Sequence, residues 1–587
     1  MFSLSVIALI VIPALSAQAA VLPGAGTIDN QLRQNSGRAH PVPGLSTPDV
    51  VLPVGTGDRD GQVVADNGAR VVLDRIQIDG ERPRGTARVS EAAVKKLTDA
   101  LTGRPVSFGE IRGLTTDLTA LFRRHGALLA RVIIPPQTIR NGVLTLTLVP
   151  GEYGTSAVDN RSALRDNWLQ RIVAANTTPG EVVTKEKLER LSLLVNEVPG
   201  LSGKVSLTQG DRTGTTSVHV TAENDRLYGG WVGADNLGID ETGRSRIFAG
   251  VYAGELLGTG DQLRAEASLA YEDAGLTTGS IDYSMLVSGQ GTRAGAGYSR
   301  MDYRYDFMSH RFRGYADTWQ VYVSHPLVRT ARAQVNVRAT AGQSLMTDKY
   351  PSGASGIFQV YGDSGRKTAT KGVLGVDGSL AWVPGGVTGV SLSVTQGHMD
   401  YRDEAALFWS GADIRRTEGH FSLMNWLLRH EQQVWGPFSL FAQGQGQVSQ
   451  DNLDPSQKFV MGGPYAVRAY DTGTGYADNG TVVTAELRSR WALPSPWSWT
   501  GRQPALTVAG FWDQGWGEQN KNNISAYGGH VSDRNRVELA GAGVYVTLAD
   551  EGNYAATVTW AHRTGREDPV SGYSDDDRVW LSAMKTF

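Results

Sequence analysis

Beyond Glu223 the chain reads as a long series of strand-like segments separated by clusters of Gly, Asp or Asn, and this repetition narrows the possible folds more than any other feature. Sixteen segments are readable, at about 228–239, 243–257, 260–272, 278–289, 291–303, 314–326, 331–344, 369–383, 387–400, 417–432, 436–449, 482–491, 504–515, 537–549, 552–563 and 577–587. Many exceed the roughly 9–11 residues that a tilted strand needs to cross a bilayer. In SRIFAGVYAGEL the side chains Ile247, Ala249, Val251 and Ala253 share one face, and Arg246, Phe248, Gly250 and Tyr252 share the other. An even number of such strands predicts a closed antiparallel barrel, because an open sheet edge inside lipid has nothing to bond to. A soluble all-β repeat protein is the competing reading of the same pattern. Tyr228, Trp231, Trp319, Tyr322, Trp435, Trp491 and Trp580 stand near segment ends and are expected in the aromatic girdles of a membrane barrel.

Other compositional facts remove whole classes of function. With 587 residues the chain exceeds one ordinary core, so a large barrel with further domains is expected. No run of 18 or more apolar residues follows the N-terminus, which argues against a helical membrane span but is silent on strands. A net charge of −3 gives no footing to nucleic-acid binding. The absence of Cys excludes disulfides, thiolate metal sites and thiol catalysis. MFSLSVIALIVIPALSAQAA, with Ala17-Gln18-Ala19 near its end, predicts a secretory signal over residues 1–19 and therefore export across an inner membrane.

Residues 20–70 are rich in Gly, Pro, Asp and Val and read as a linker. Within them GTIDNQLRQNSG, residues 26–37, can form a short polar helix with Ile28 and Leu32 on one side. Residues 71–150 read as a compact α/β unit. VVLDRIQIDG is a strand region, Ser90 caps a helix through Leu101, and Ser107 to Glu110 form a capping box for a helix ending at Gly126. The strands ALLARVIIPP and VLTLTLVPG follow, joined through Asn141-Gly142, a dipeptide suited to a tight turn. Residues 151–222 repeat the plan in weaker form, with helices over 163–174 and 185–198 and strands over 201–208 and 215–222.

The stretch FVMGGPYAVRAYDTG, Phe459 to Gly473, followed by DNGTVVTAELR, resembles the sixth extracellular loop and VRGY-type tetrad of outer-membrane transporters built from POTRA domains and a barrel. Val467, Arg468, Ala469 and Tyr470 match the tetrad, with Ala469 where the family usually has Gly, a residue that tolerates positive φ. Phe511, Asp513 and Gly515 match the family's F-x-D-x-G motif on a late barrel strand. PPQTIRNGVLTLTLVPGEYG, GRSRIFAGVYAGELLGTGDQL and SHPLVRT resemble the two-partner secretion branch in particular. The chain is therefore identified as a member of the two-partner secretion transporters of the haemolysin-activator and filamentous-haemagglutinin-transporter type.

That resemblance implies α+β periplasmic POTRA domains followed by an all-β transmembrane barrel of 16 antiparallel strands. The divisions are a signal at 1–19, a plug helix and linker at 20–70, POTRA domains at 71–150 and 151–222, and a barrel at 223–587 with a long sixth loop at 450–481. It implies a Gram-negative outer-membrane pore, embedded in outer-membrane lipid, that exports a large exoprotein caught by its N-terminal secretion domain at the POTRA domains. It also implies that Arg468 pairs with Asp513 inside the barrel and that the helix bearing Ile28 and Leu32 plugs the pore. A fork-shaped guanidinium suits that pairing because it fixes direction as well as charge. A place to catch an extended segment by strand addition is the groove between the helix Ser107–His125 and the strand Ala127–Ile134, or its counterpart in the second unit. An assembly factor that inserts other barrels is the alternative within the superfamily. A passive porin would not need two α/β units, and a barrel hydrolase needs a Ser/His constellation that is not found.

Catalytic motifs fail on inspection. There is no G-x-x-x-x-G-K-[ST] loop and no G-x-S-x-G elbow, and HEQQV puts Val434 where a zinc motif needs its second His. The carboxylates Asp575 to Asp577 read as a solvated loop rather than a cation site. No cofactor, no metal and no enzymatic activity are expected.

Overall fold

The computed structural model describes residues 23–39, 50–51, 70–80, 89–272, 275–307, 310–350, 364–494, 503–565 and 576–587. The expected signal segment, most of the linker and Asp575 lie outside them.

Chain order begins with helix α1 (Ala25–Ala39) and a two-residue strand β1 (Val50–Val51). A first α/β unit follows, made of β2 (Arg70–Val72), β3 (Arg75–Asp79), α2 (Glu91–Asp99), β4 (Pro105–Ser107), α3 (Phe108–Arg124), β5 (Arg131–Ile133) and β6 (Val143–Val149). Ser90 caps α2, and the Ser107–Glu110 capping box opens α3 with both reciprocal bonds in place. Asn141 and Gly142 both take positive φ in the tight turn bridging Arg140 to Val143. The expected strand Ala127–Ile134 is shortened to Arg131–Ile133: Ala127 and Ala130 turn into the core, and Pro135-Pro136 stop the ladder by lacking N–H donors. Between α3 and β5, Leu118, Phe122, Ala127, Ala130 and Val132 pack as one buried cluster.

The second unit comprises β7 (Glu152–Arg161), α4 (Asp166–Asn176), α5 (Lys185–Asn196), β8 (Leu201–Gln209) and β9 (Thr215–Asn224). Leu169, Ile172, Leu188, Leu191 and Val195 of the helices close over Val205, Leu207, Val218 and Val220 of the sheet. This unit is docked on the barrel's short turns: Arg190 donates to the carbonyls of Pro326 at 3.0 Å and Gln290 at 3.1 Å, and Glu197 pairs with Arg329.

The barrel contains β10 (Tyr228–Asp235), β11 (Arg246–Gly254), β12 (Gln262–Ala270), β13 (Gly275–Leu286), β14 (Arg293–Phe307), β15 (His310–Arg329), β16 (Ala333–Lys349), β17 (Ser364–Leu380) and β18 (Gly386–Tyr401). After α6 (Glu404–Trp409) and α7 (Ala412–Arg415) come β19 (Gly419–Trp435) and β20 (Phe438–Ser449). The long loop that follows carries its own small hairpin, β21 (Phe459–Val460) and β22 (Tyr476–Ala477). The wall then resumes with β23 (Asn479–Ala492), β24 (Ala505–Glu518), β25 (Arg536–Asp550), β26 (Tyr554–Arg563) and β27 (Asp577–Thr586). Each strand pairs antiparallel with the next, and β10 closes on β27, with Trp231 opposite Thr586 and Asp235 opposite Ser582. All sixteen expected segments correspond to wall strands, so the barrel leaves no edge.

Alternation sets an apolar exterior against a polar lumen. Ile247 and Val251, Trp319, Val321 and Val323, Leu392 and Val394, and Val544 and Val546 are exposed on the outside. Tyr228, Trp319, Trp435 and Trp491 are also exposed, as girdle residues would be. Three expected girdle aromatics instead face inward. Trp231 lies over the bare Cα of Gly250, Tyr322 donates to Asp282 at 2.8 Å, and Trp580 is buried in the lumen. Strand parity decides this: the exposed Val232, Val321 and Val323, and Val579 and Leu581, each sit one position away.

Candidate functional site in the barrel lumen

The loop between β20 and β23 folds into the barrel rather than over its rim. Its hairpin β21–β22 brings Val467 to Tyr470 against the inner wall, where Val467, Ala469 and Tyr470 are fully buried with Phe511, Val537, Leu539 and Ala561. Val467 donates its backbone N–H to Met461 at 2.9 Å, and Tyr470 to Val467 at 3.2 Å, so the tip is a tight internal turn.

At that tip Arg468 meets Asp513 of β24 as a two-bond fork, Nε to Oδ2 and Nη2 to Oδ1, both at 2.8 Å. The Arg468 backbone N–H adds a third bond to Oδ2 at 3.1 Å, and Thr484 of β23 donates to Oδ1 at 2.9 Å. Asp513 has no exposed surface, and Arg468 is 9% exposed. Such burial is stable only because the carboxylate's acceptor sites are filled. Phe511, two residues before Asp513 and on the same face of β24, lies under the guanidinium at 3.4 Å from ring centroid to Cζ.

A second carboxylate joins the pair. Glu486 of β23 binds Arg468 Nη2 at 2.9 Å, accepts from Arg488 at 2.8 Å and from Tyr545 at 3.0 Å, and Arg488 reaches Glu431 of β19 at 2.9 Å. Charges therefore alternate in sign across the inner wall from Asp513 through Arg468, Glu486 and Arg488 to Glu431. Trp580 of β27 donates its indole N–H to the Arg468 carbonyl at 2.7 Å.

Small residues make the close approach possible. A Cβ at Gly515 would meet Val467 Cγ2 at 3.1 Å, and one at Gly541 would overlap the Ala469 methyl. Ala469 is not among the described residues with positive φ, so the tetrad's Gly is not required by the backbone here. The methyl is accommodated by the missing side chain of Gly541 instead.

The base of the loop carries two further buried ion pairs. Lys367 of β17 binds both oxygens of Asp454 at 2.9 Å, and Tyr401 donates to the same carboxylate at 2.6 Å. Lys458 binds Asp478 at 2.6 Å, and Asp478 also accepts from the backbone of Leu453 and Lys521.

Helix α1 fills the lumen beside this loop. Ile28 is fully buried among Tyr303, Met346 and Leu453, and Leu32 packs at the margin of the same cluster. The polar side of α1 holds the loop: Asn30 donates to the carbonyls of Pro455 at 3.1 Å and Lys458 at 2.8 Å, and Gln34 donates to Lys458 O at 2.7 Å while accepting from Val460 N at 3.1 Å. It holds the wall too, through Ala25 N to Asp348 at 2.6 Å and Arg33 to Ser344 at 3.3 Å. Two elements inserted in the lumen are thus bonded to each other. Among the described residues there is no group of three or more His, Asp or Glu placed to hold a metal ion.

The structure thus brings together every residue singled out in the loop and on β24, and places Ile28 and Leu32 on the apolar side of α1. Glu486, Thr484, Gly541 and the two basal ion pairs were not singled out from sequence, and Trp580 was expected in an aromatic girdle rather than at this site. Thr484, Glu486 and Arg488 carried a usable signal, since their spacing of two puts them on one face of TVVTAELR, the strand directly after the tetrad.

The chain is similar over most of its length to known proteins. The profile of the family described as haemolysin secretion/activation protein ShlB/FhaC/HecB matches residues 214–547, and that of the ShlB-type POTRA domain matches residues 72–151. The heme/hemopexin transporter protein HuxB of Haemophilus influenzae is 28% identical over 522 residues, covering 89% of this chain and 88% of HuxB. The outer membrane transporter CdiB of Escherichia coli is 22% identical over 545 residues, covering 86% of this chain and 83% of CdiB. Among solved structures, CdiB from Escherichia coli superposes with a TM-score of 0.70 at 17% identity, covering 97% of this chain and 100% of that one. CdiB from Acinetobacter baumannii gives 0.63 at 15% identity, over 95% and 97% of the two chains.

Proposed function

The chain belongs to the haemolysin secretion/activation protein family (ShlB/FhaC/HecB), and from that premise we propose how its lumen and periplasmic units carry out transport. It is an outer-membrane β-barrel with its POTRA domain in the periplasm, and it exports a partner protein by two-partner secretion. Membership of a family of secretion proteins favours export over the insertion of other barrels.

In the proposed mechanism the cargo is a large exoprotein whose N-terminal secretion domain is held by two POTRA domains, at about 71–150 and 151–222. Arg468, Val467, Ala469 and Tyr470 act as a latch on Phe511, Asp513 and Gly515, and α1 is the plug. Both elements fill the lumen at rest and give way while an unfolded chain passes. No nucleotide and no catalytic step is involved; folding of the cargo outside the cell supplies the direction. The observation that carries this reading is the fork of Arg468 on Asp513 and Glu486, which holds a polar loop inside a closed barrel. Such a contact is worth its burial only where the inserted segment matters to the pore.

Deletion of the gene tests the reading, with the surface proteome of the deletion strain compared with that of the complemented strain. One large surface protein should disappear and be recovered from the periplasm or as fragments. An unchanged surface proteome would overturn the assignment.

A further inference from the structure

At one end of the barrel, the turns β13–β14 and β15–β16 are covered by the second α/β unit, where Asn176 and Arg190 bond to Gly289 and Gln290 and Glu197 pairs with Arg329. The far ends of β14, β15 and β16 therefore stand at the cell-surface rim. Inward and outward positions alternate there as they do lower down. Tyr303, Tyr305 and Phe312 are buried with the lumen cluster around Ile28, and Arg304, Arg313 and Lys349 are exposed on the outside.

Register places these three cations in one row. Arg304 stands directly opposite Arg313, and Arg313 directly opposite Lys349. Like charges directly opposed on a sheet repel. The neighbouring rim is built otherwise: Arg300 holds Asp302 and Asp317, Arg311 holds Asp306, Arg366 holds Asp403 and Arg402 holds Asp400. The charge of Asp306 also reaches Arg304, but both of its oxygens accept from Arg311 at 2.9 Å. Among the described residues Arg304, Arg313 and Lys349 form no ion pair.

The surface around the row changes character with height. A Cβ at Gly275, opposite Arg304 on β13, would meet Arg304 Nε at 2.6 Å, so the Arg304 side chain lies flat on bare sheet. Below the row the same face turns apolar: Tyr298 and Trp319 oppose each other, Val321 and Val323 follow, and all four are exposed. Arg304 lies six positions beyond Tyr298 on β14. That is roughly 20 Å along the strand, and less along the membrane normal because wall strands tilt. Cations above an aromatic and aliphatic band match a lipid with phosphates above its acyl chains.

We propose that Arg304, Arg313 and Lys349 bind the phosphate groups of outer-leaflet lipopolysaccharide, whose acyl chains lie against Trp319, Val321 and Val323. The inference needs only the outer-membrane location and is independent of what is transported. An anion between opposed cations turns their repulsion into attraction, and each guanidinium can grip a phosphate through two parallel bonds. A lipid so held anchors the β14–β16 side of the barrel at a fixed depth in the outer leaflet.

The test uses the purified full-length protein in detergent with a metal chelator, so that no divalent cation bridges to the lipid. The probe is a deep-rough lipopolysaccharide carrying both lipid A phosphates, titrated onto the protein. Each Lys or Arg beside an anionic lipid surface changes affinity roughly fivefold. The triple variant Arg304→Ala, Arg313→Ala, Lys349→Ala should therefore bind about a hundredfold more weakly than wild-type. Wild-type protein should lose a similar factor with the dephosphorylated lipid, and inorganic phosphate should not displace the intact one. Folding is checked by heat-modifiability; should the triple variant fail to fold, Arg304→Ala and Arg313→Ala alone carry the same titration, at roughly fivefold each. No binding by wild-type, equal binding by the folded alanine variants, equal binding of the dephosphorylated lipid, or displacement by inorganic phosphate would each overturn the proposal.

Discussion

Trp580 and Arg468 tie the loop tip to the barrel's seam: the indole N–H of the last strand meets the Arg468 carbonyl at 2.7 Å while the Arg468 side chain is held on β24 and β23. Main chain and side chain of one residue are thus anchored on separate strands. The tip cannot shift without losing hydrogen bonds on both sides.

Trp580→Phe removes the main-chain anchor, keeping an aromatic ring while losing the indole N–H and part of its volume. An acceptor left unpaired in this buried site costs about 1–3 kcal/mol. The variant barrel should insert normally, and its loop should be cut faster by protease added outside the cell. A cleavage rate equal to the wild-type rate would show that the bond contributes nothing.

Gly541 and Ala469 form a packing pair. Gly541→Ala drives a methyl into the Ala469 methyl, an overpacking cost of about 1–3 kcal/mol. Ala469→Gly should be tolerated alone and should restore the double variant towards wild-type, measured as the temperature at which the folded band disappears on a heat-modifiability gel. Additive rather than compensating effects would mean that the two residues do not meet.

Asn30→Ala with Gln34→Ala removes the four hydrogen bonds by which α1 holds the backbone at Pro455, Lys458 and Val460. In planar bilayers the purified variant should show a larger open probability than wild-type at equal protein. Identical conductance traces would place the hold on α1 in its wall contacts instead.

The lipid face answers to a different substitution. Val321, exposed on the outside midway along β15, should not accept a charge: Val321→Arg costs about 2–4 kcal/mol near the bilayer midplane. Its lumen-facing neighbour Gln320 should accept one with little effect. Equal loss of folded barrel for Val321→Arg and Gln320→Arg would contradict the assignment of faces.

Much of the wall was readable before any coordinates, because sixteen segments of period two survive even where individual ends are uncertain. What was misread depended on parity. Trp231, Tyr322 and Trp580 were placed in the girdles from their position near segment ends, but a shift of one residue decides between lipid and lumen. The pairing of Trp231 with Gly250 across two strands fixes the first of these, and such a pairing appears only with the register. The contact of Arg468 with Asp513 was legible through family resemblance. Glu486 was not, although it lies in the next strand, because nothing in a single sequence says which of many lumen-facing carboxylates a buried Arg will reach. The basal pairs Lys367–Asp454 and Lys458–Asp478 join residues brought together by how deeply the loop enters the barrel. Most of the shortening of β5 lies at its start, where Ala127 and Ala130 turn into the core, and Pro135-Pro136 account only for its last residue.

The most direct measurement is export per barrel in Arg468→Ala. Removing the guanidinium leaves Asp513 and Glu486 as buried carboxylates facing an emptied site, a loss of about 3–5 kcal/mol concentrated in the loop. With barrel abundance matched by heat-modifiability, surface delivery of the partner protein should fall at least tenfold, and Arg468→Lys should restore little of it because a single ammonium cannot reproduce the fork. Undiminished delivery by Arg468→Ala at equal barrel abundance would contradict the account.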